Sequence, residues 1–139
     1  MINKSILILI FFFVFFQIDQ VLSEESNNFS MEQNEPYEII AEDMFIEREQ
    51  NVVGFSGNVV LKQGIANLKA DQILLFFNEN FDQEGFYKME ASGNILIRNN
   101  EATSITGNSA TYNVDDNKLI MTENVVLKNQ LSMINGNKL

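Results

Sequence analysis

The segment NENFDQEG (78–85) sets oxygen side chains at alternate positions, Asn78, Asn80, Asp82 and Glu84. Calcium is the chemistry such a set could support, but a calcium loop needs glycine at its sixth position and glutamate at its twelfth. Here Gly85 stands at the eighth position, so the stretch reads as a solvated loop. Asp115 and Asp116 in NVDDNKL read as turn residues, followed by Asn117, which tolerates a positive φ. The chain has no histidine and no cysteine. A catalytic centre would therefore rest on carboxylates, lysine, serine or tyrosine, and none of these converge in the sequence. The expectation is a protein without enzymatic activity, metal or cofactor. A net charge of −10 with no basic cluster excludes nucleic acid as a partner.

The apolar residues carry the information instead. From Tyr37 onward they alternate with polar ones and are rich in β-branched and aromatic types, with no helical stripe. Breakers at 49–51, 63–64, 78–85, 99–101, 115–117 and 129–130 divide this region into segments long for simple strands, each with an interruption near its middle. One kind of centre reads SGN (56–58), SGN (92–94) or TEN (122–124). The other reads AEDM (41–44), ADQI (70–73), GNSA (107–110) or GNKL (136–139), recurring at intervals of 29, 37 and 29 residues. That is an internal repeat.

Side-chain parity gives the centres a mechanical role. Leu68 and Ile73, or Ile105 and Ala110, are five apart, so the apolar set would change faces in a regular strand. An extra residue at the Ala/Gly-polar step, around Ala70-Asp71, Gly107-Asn108 and Gly136-Asn137, would restore the facing as a bulge does. The Gly57-Asn58 and Gly93-Asn94 centres keep parity and permit a sharp bend, whereas TEN lacks the glycine and is expected to bend less. Asp71 and its counterparts Glu42, Asn108 and Asn137 are expected to bond backbone groups freed at the corner.

The resulting lining begins with Tyr37, Ile39, Phe55, Val59 and Leu61, and continues through Leu68, Ile73 and Leu75. Its second half holds Ile95, Ile97, Ile105, Tyr112, Val114, Met121 and Leu127. Lys62, Lys69, Arg98, Thr111, Asn113 and Lys128 fall on the other face. The expected fold is all-β, a creased antiparallel sheet forming a jelly roll or an open groove. A parallel β-solenoid is the structural competitor, and an ordinary packed core is the plain alternative to a ligand-binding lining.

Residues 1–23 hold one lysine and then an uncharged stretch, Ser5–Ile18, which as a helix would span about 21 Å. A bilayer core needs about 30 Å, so the segment reads as a secretory leader cut after Ser23, with an uncleaved anchor as its rival. Removing it takes away only Lys4 and Asp19, so the charge stays at −10. The absence of cysteine fits an oxidising compartment in which the sheet alone supplies stability. Residues 24–36, polar and acidic, read as a flexible linker, and Asn28 in NFS matches a weak glycosylation pattern. Residues 37–139 form the domain.

The segment NVVGFSGNVVLKQGIANLKADQIL (51–74) resembles the signature of the LptA/OstA-like lipopolysaccharide-transport family. GNSATYNVDDNKLIMTENVVLKN and MINGNKL fit the repeats of that family. The resemblance covers roughly 36–139 and implies a periplasmic β-jelly roll with an open seam that shields the lipid A acyl chains of lipopolysaccharide. It also implies edge-strand stacking between LptC-like inner-membrane and LptD-like outer-membrane partners, and head-to-tail self-association. By local match the lipid-contacting positions would be Tyr37, Ile39, Tyr112 and Val114. The family continues for one or more strands beyond the final corner, whereas GNKL ends here at Leu139, so the expectation is either a domain that lacks its last strands or a sequence that is part of a longer one. A membrane-anchored LptC-like adaptor and a secreted structural β-repeat protein without ligand are the alternatives. Cleavage separates the first alternative: N-terminal sequencing of the exported chain is expected to begin at Glu24, and a start at Met1 would favour the anchor.

Overall fold

The computed structural model describes residues 31, 35–79, 85–99 and 103–138. The leader, Asn28, and Asn80, Asp82 and Glu84 of the candidate calcium loop lie outside those residues. Eight strands follow one another: β1 (Glu38–Ile40), β2 (Asp43–Glu47), β3 (Val52–Gln63), β4 (Ala66–Phe77), β5 (Phe86–Arg98), β6 (Ser104–Asn113), β7 (Lys118–Lys128) and β8 (Met133–Lys138). Each pairs antiparallel with its neighbour in one meandering sheet, except that β1 and β2 share β3, β1 against its second half and β2 against its first. Gly64 and Asn117 take the positive φ that their tight turns demand.

Every long strand changes direction at its centre, and the register locates how. Ser56 faces Gln72 and Val59 faces Ala70, so Gly57 and Asn58 stand opposite Asp71 alone. Ser92 faces Ser109 and Ile95 faces Gly107, so Gly93 and Asn94 stand opposite Asn108. Thr122 faces Lys138 and Val125 faces Gly136, so Glu123 and Asn124 stand opposite Asn137. The extra residue therefore belongs to the SGN and TEN strands, which corrects the expectation that the Ala/Gly-polar step supplies it. Parity alone cannot tell the two apart, because either assignment restores the facing. All six residues are left-handed: Gly57 and Asn58 at φ 80° and 47°, Gly93 and Asn94 at 76° and 46°, Glu123 and Asn124 at 65° and 56°. TEN thus bends as the SGN centres do, with a glutamate in a conformation that glycine adopts freely.

The crease folds the sheet onto itself. Tyr37 precedes the Glu38–Lys62 pair at one end of the strands, whereas Phe86 pairs with Phe77 at the other. On a flat sheet these ends would be about 36 Å apart, the rise of the eleven steps of β4. Their rings instead meet edge to face with centroids 5.6 Å apart. One continuous core joins both halves, with Leu61, Leu68, Ile95 and Ile97 from one side and Ile73, Leu75, Met89, Tyr112 and Met121 from the other. Nearest the crease the inner row is small, with Ala41, Ala70 and Gly107 beside Val59, Ile95 and Val125. A Cβ on Gly107 would stand 2.8 Å from the Met121 side chain. The outer face is less polar than expected. Lys62, Lys69, Arg98 and Lys128 are exposed there, but the Phe45 ring packs against Gly54, and the Lys88 ammonium sits 3.9 Å from the centre of the Phe76 ring.

Replacing Glu123 by glycine is expected to raise Tm by about 2–6 °C, since it relieves left-handed strain against a smaller loss of chain entropy. Gly93→Ala is expected to lower Tm, because it adds strain and drives a Cβ into the Asp71 carboxylate. Calorimetry of both variants reads the two signs.

Candidate functional site: the apolar inner face

The inner face is built of rows that cross the sheet. The longest runs Ile39, Leu61, Leu68, Ile97, Ile105, Leu127 and Ile134, one residue from each of seven strands in direct register. Beyond the crease a second row runs Met44, Phe55, Ile73, Ala91, Ala110 and Met121, and a third runs Ile46, Val53, Leu75, Met89, Tyr112 and Leu119. Every lining position read from the sequence that falls within a strand lies on this face.

Burial divides the lining in two. Val59, Leu61, Leu68, Ile73, Leu75, Ile95, Ile97, Tyr112 and Met121 are sealed in the interior. Ile39, Phe55, Ile105, Val114 and Leu127 are half-buried. Towards the sheet edges the same face opens to solvent: Tyr37, Met44 and Ile46 on the β1/β2 side and Ile134 on β8 are exposed. The cause is position in the sheet, since an edge strand has a neighbour on one side only. Partial burial of the Tyr37 ring raises its phenol above the usual 10.0.

Among the core residues that escaped the sequence reading are Phe86, Met89 and Ala91 on β5, with Val52 on β3 and Ala66 on β4. Met89 and Ala91 lead into Ser92-Gly93 as Val53 and Phe55 lead into Ser56-Gly57, a parallel that was available in the sequence. The 86-to-89 step hid it, because the register slips between Phe76 and Phe77 on the partner strand. Met31 was also missed. It comes from the segment read as a flexible linker, yet it is buried in the core.

The corner acids bond differently from expectation. Asp71 accepts a hydrogen bond from the Asn94 side-chain amide at 2.8 Å, and Glu42 accepts one from Asn58 at 2.6 Å. Each acid thus ties the asparagine of the adjacent left-handed pair, where free backbone groups had been expected as partners. Each also lies over the neighbouring glycine, so that a Cβ on Gly57 would stand 2.6 Å from a Glu42 oxygen. Among the described residues no group of histidine, cysteine, aspartate or glutamate is disposed to hold a metal ion.

A creased β-jelly roll with an apolar interior, whose edge strands β1/β2 and β8 have no further strand beside them among the described residues, is a recognisable class of fold. Residues 38–139 match the family described as LptA/(LptD N-terminal domain) LPS transport protein. The chain belongs to that family of lipopolysaccharide-transport proteins. Among solved structures it resembles LptH of Pseudomonas aeruginosa, described as the LptA-homologous periplasmic component of the conserved lipopolysaccharide transport device. The two align with a TM-score of 0.64 and 18% sequence identity, over 76% of this chain and 75% of that one. No curated protein matches the sequence.

Sealed and open lining positions separate by stability. Leu68→Ala is expected to cost about 2–5 kcal/mol through loss of burial and the cavity left behind. Ile134→Ala should stay within about 0.5 kcal/mol. Urea unfolding of both variants measures the difference.

Proposed function

We propose that this protein carries lipopolysaccharide across the periplasm, holding the lipid A acyl chains against its inner face while the charged headgroup stays in water. The observation that carries the reading is the continuity of the long apolar row. It runs from Ile39 beside one edge of the sheet to Ile134 at the other, buried in the middle and exposed at the β8 end. Each methylene removed from water contributes about 0.8 kcal/mol, so a lipid with several acyl chains gains strongly from such a surface.

The uncovered edges supply the means of continuing that surface. Edge strands offer unpaired backbone groups to a further strand. A neighbour added beside β1/β2 or β8 would extend the sheet and cover Met44, Ile46 or Ile134. In this reading LptC-like and LptD-like partners, or further copies of the chain stacked head to tail, make one trough between the two membranes. The leader over 1–23 delivers the protein to that compartment, and 37–139 form the working domain. Lining residues that touch lipid are drawn from the half-buried set, with Ile39, Ile105, Val114 and Leu127 foremost, and from the exposed Tyr37 beside them. The sealed set holds the two halves together.

Photo-crosslinking amino acids at Ile39 and Leu127 are expected to capture lipopolysaccharide in living cells, and the same probes at Lys69 and Arg98 are expected to give none. Equal labelling of the two faces would remove the groove assignment.

A further inference from the structure

The N-terminal approach to the domain is fastened to both halves of the folded sheet. The Met31 N–H donates to the Tyr112 hydroxyl at 3.1 Å, and that hydroxyl donates to the Asn117 side-chain oxygen at 2.8 Å. The Met31 residue is only 6% exposed and belongs to the core cluster. Glu35 lends its carbonyl to the buried Gln63 side-chain amide at 2.7 Å, and the Tyr37 ring rests against Phe86. Tyr112 and Phe86 belong to the half of the sheet before the crease of β3, whereas Gln63 belongs to the half after it. The contacts of Met31, Glu35 and Tyr37 therefore span the two halves on the side away from the crease.

Met31 is well suited to stand in for a lipid. Its side chain is unbranched, flexible and apolar, close to a short alkyl chain in shape. Its neighbours Ser30, Glu32, Gln33 and Asn34 are polar, and within 30–34 the thioether is the group that gains from an apolar site. Its anchor, Tyr112, is a lining residue that is 0% exposed with Met31 in place.

We propose that Met31 is a built-in, displaceable occupant of the lipid groove, seated on Tyr112 until acyl chains replace it. The proposal rests on the groove reading given above. A groove filled by its own chain is reached by lipid only in the fraction of molecules from which Met31 has withdrawn, and the apparent affinity falls by that fraction. The same competition favours release, because Met31 re-covers the apolar surface as lipid moves on. It also shields that surface from water in the unloaded protein.

The test uses the whole chain as recovered from cells, fluorescently labelled purified lipopolysaccharide, and amide exchange by NMR. Met31→Ser is expected to bind about three- to ten-fold more tightly than the parent, whereas Met31→Leu, which keeps an apolar occupant, binds as the parent does. The Met31 amide is expected to be protected in the free protein and to lose protection as lipid saturates it. Unchanged or weaker binding by Met31→Ser, or protection that persists at saturation, would overturn displacement by Met31. If the parent and both variants all fail to bind, the groove reading falls and displacement falls with it. Protection of the Met31 amide in the free chain then still reports the docked contact by itself.

Discussion

The architecture depends on three adjacent pairs of left-handed residues. Gly57-Asn58, Gly93-Asn94 and Glu123-Asn124 fall in line across the sheet on β3, β5 and β7, each opposing a single residue of a neighbouring strand. A lone bulge would twist one strand locally. Aligned in every second strand, bulges become a hinge line along which the sheet folds, and the line fixes which residues face inward on both sides of it. The side-chain bonds from Asn58 to Glu42 and from Asn94 to Asp71 fasten the hinge from outside. They are exposed and each contributes modestly. The larger stabilisation comes from the apolar faces that the fold brings together.

Folding an open sheet differs from closing a barrel in leaving edge strands, here β1/β2 and β8, with no further strand beside them among the described residues. Sealed residues such as Leu61, Leu68 and Ile73 supply the adhesion between the halves, and the half-buried and exposed residues of the same rows remain available to ligand or neighbour. The constraint that builds the domain therefore also grades its inner face from sealed core to exposed edge. In the proposed reading it is that gradation which carries the function.

Much of this was legible in the sequence because its two strongest signals, period-two alternation and a repeated interruption, are both backbone signals. Parity across Leu68–Ile73 and Ile105–Ala110 was enough to put Leu61, Ile97, Tyr112 and Met121 on one face. What parity could not fix was which strand of each pair carries the extra residue, since that depends on pairing. It also could not grade burial, because Ile134 and Ile97 have equivalent patterns and differ only in whether another strand follows beside them. Met31 was hidden for another reason: with only Phe29 for apolar company in a polar run it makes no extended pattern, and its place is decided by a tertiary contact with Tyr112.

Adjacent residues on opposite faces provide the most direct test that the inner face is the one that takes lipid. Ile39 and Leu127 point inward, whereas their chain neighbours Ile40 and Val126 stand on the outer face. Methyl NMR during titration with purified lipopolysaccharide reads each of them in the same sample. The account predicts saturable shifts at Ile39, Ile105 and Leu127, with Ile40 and Val126 left nearly still. Comparable shifts on both faces, or shifts confined to the outer one, would contradict it.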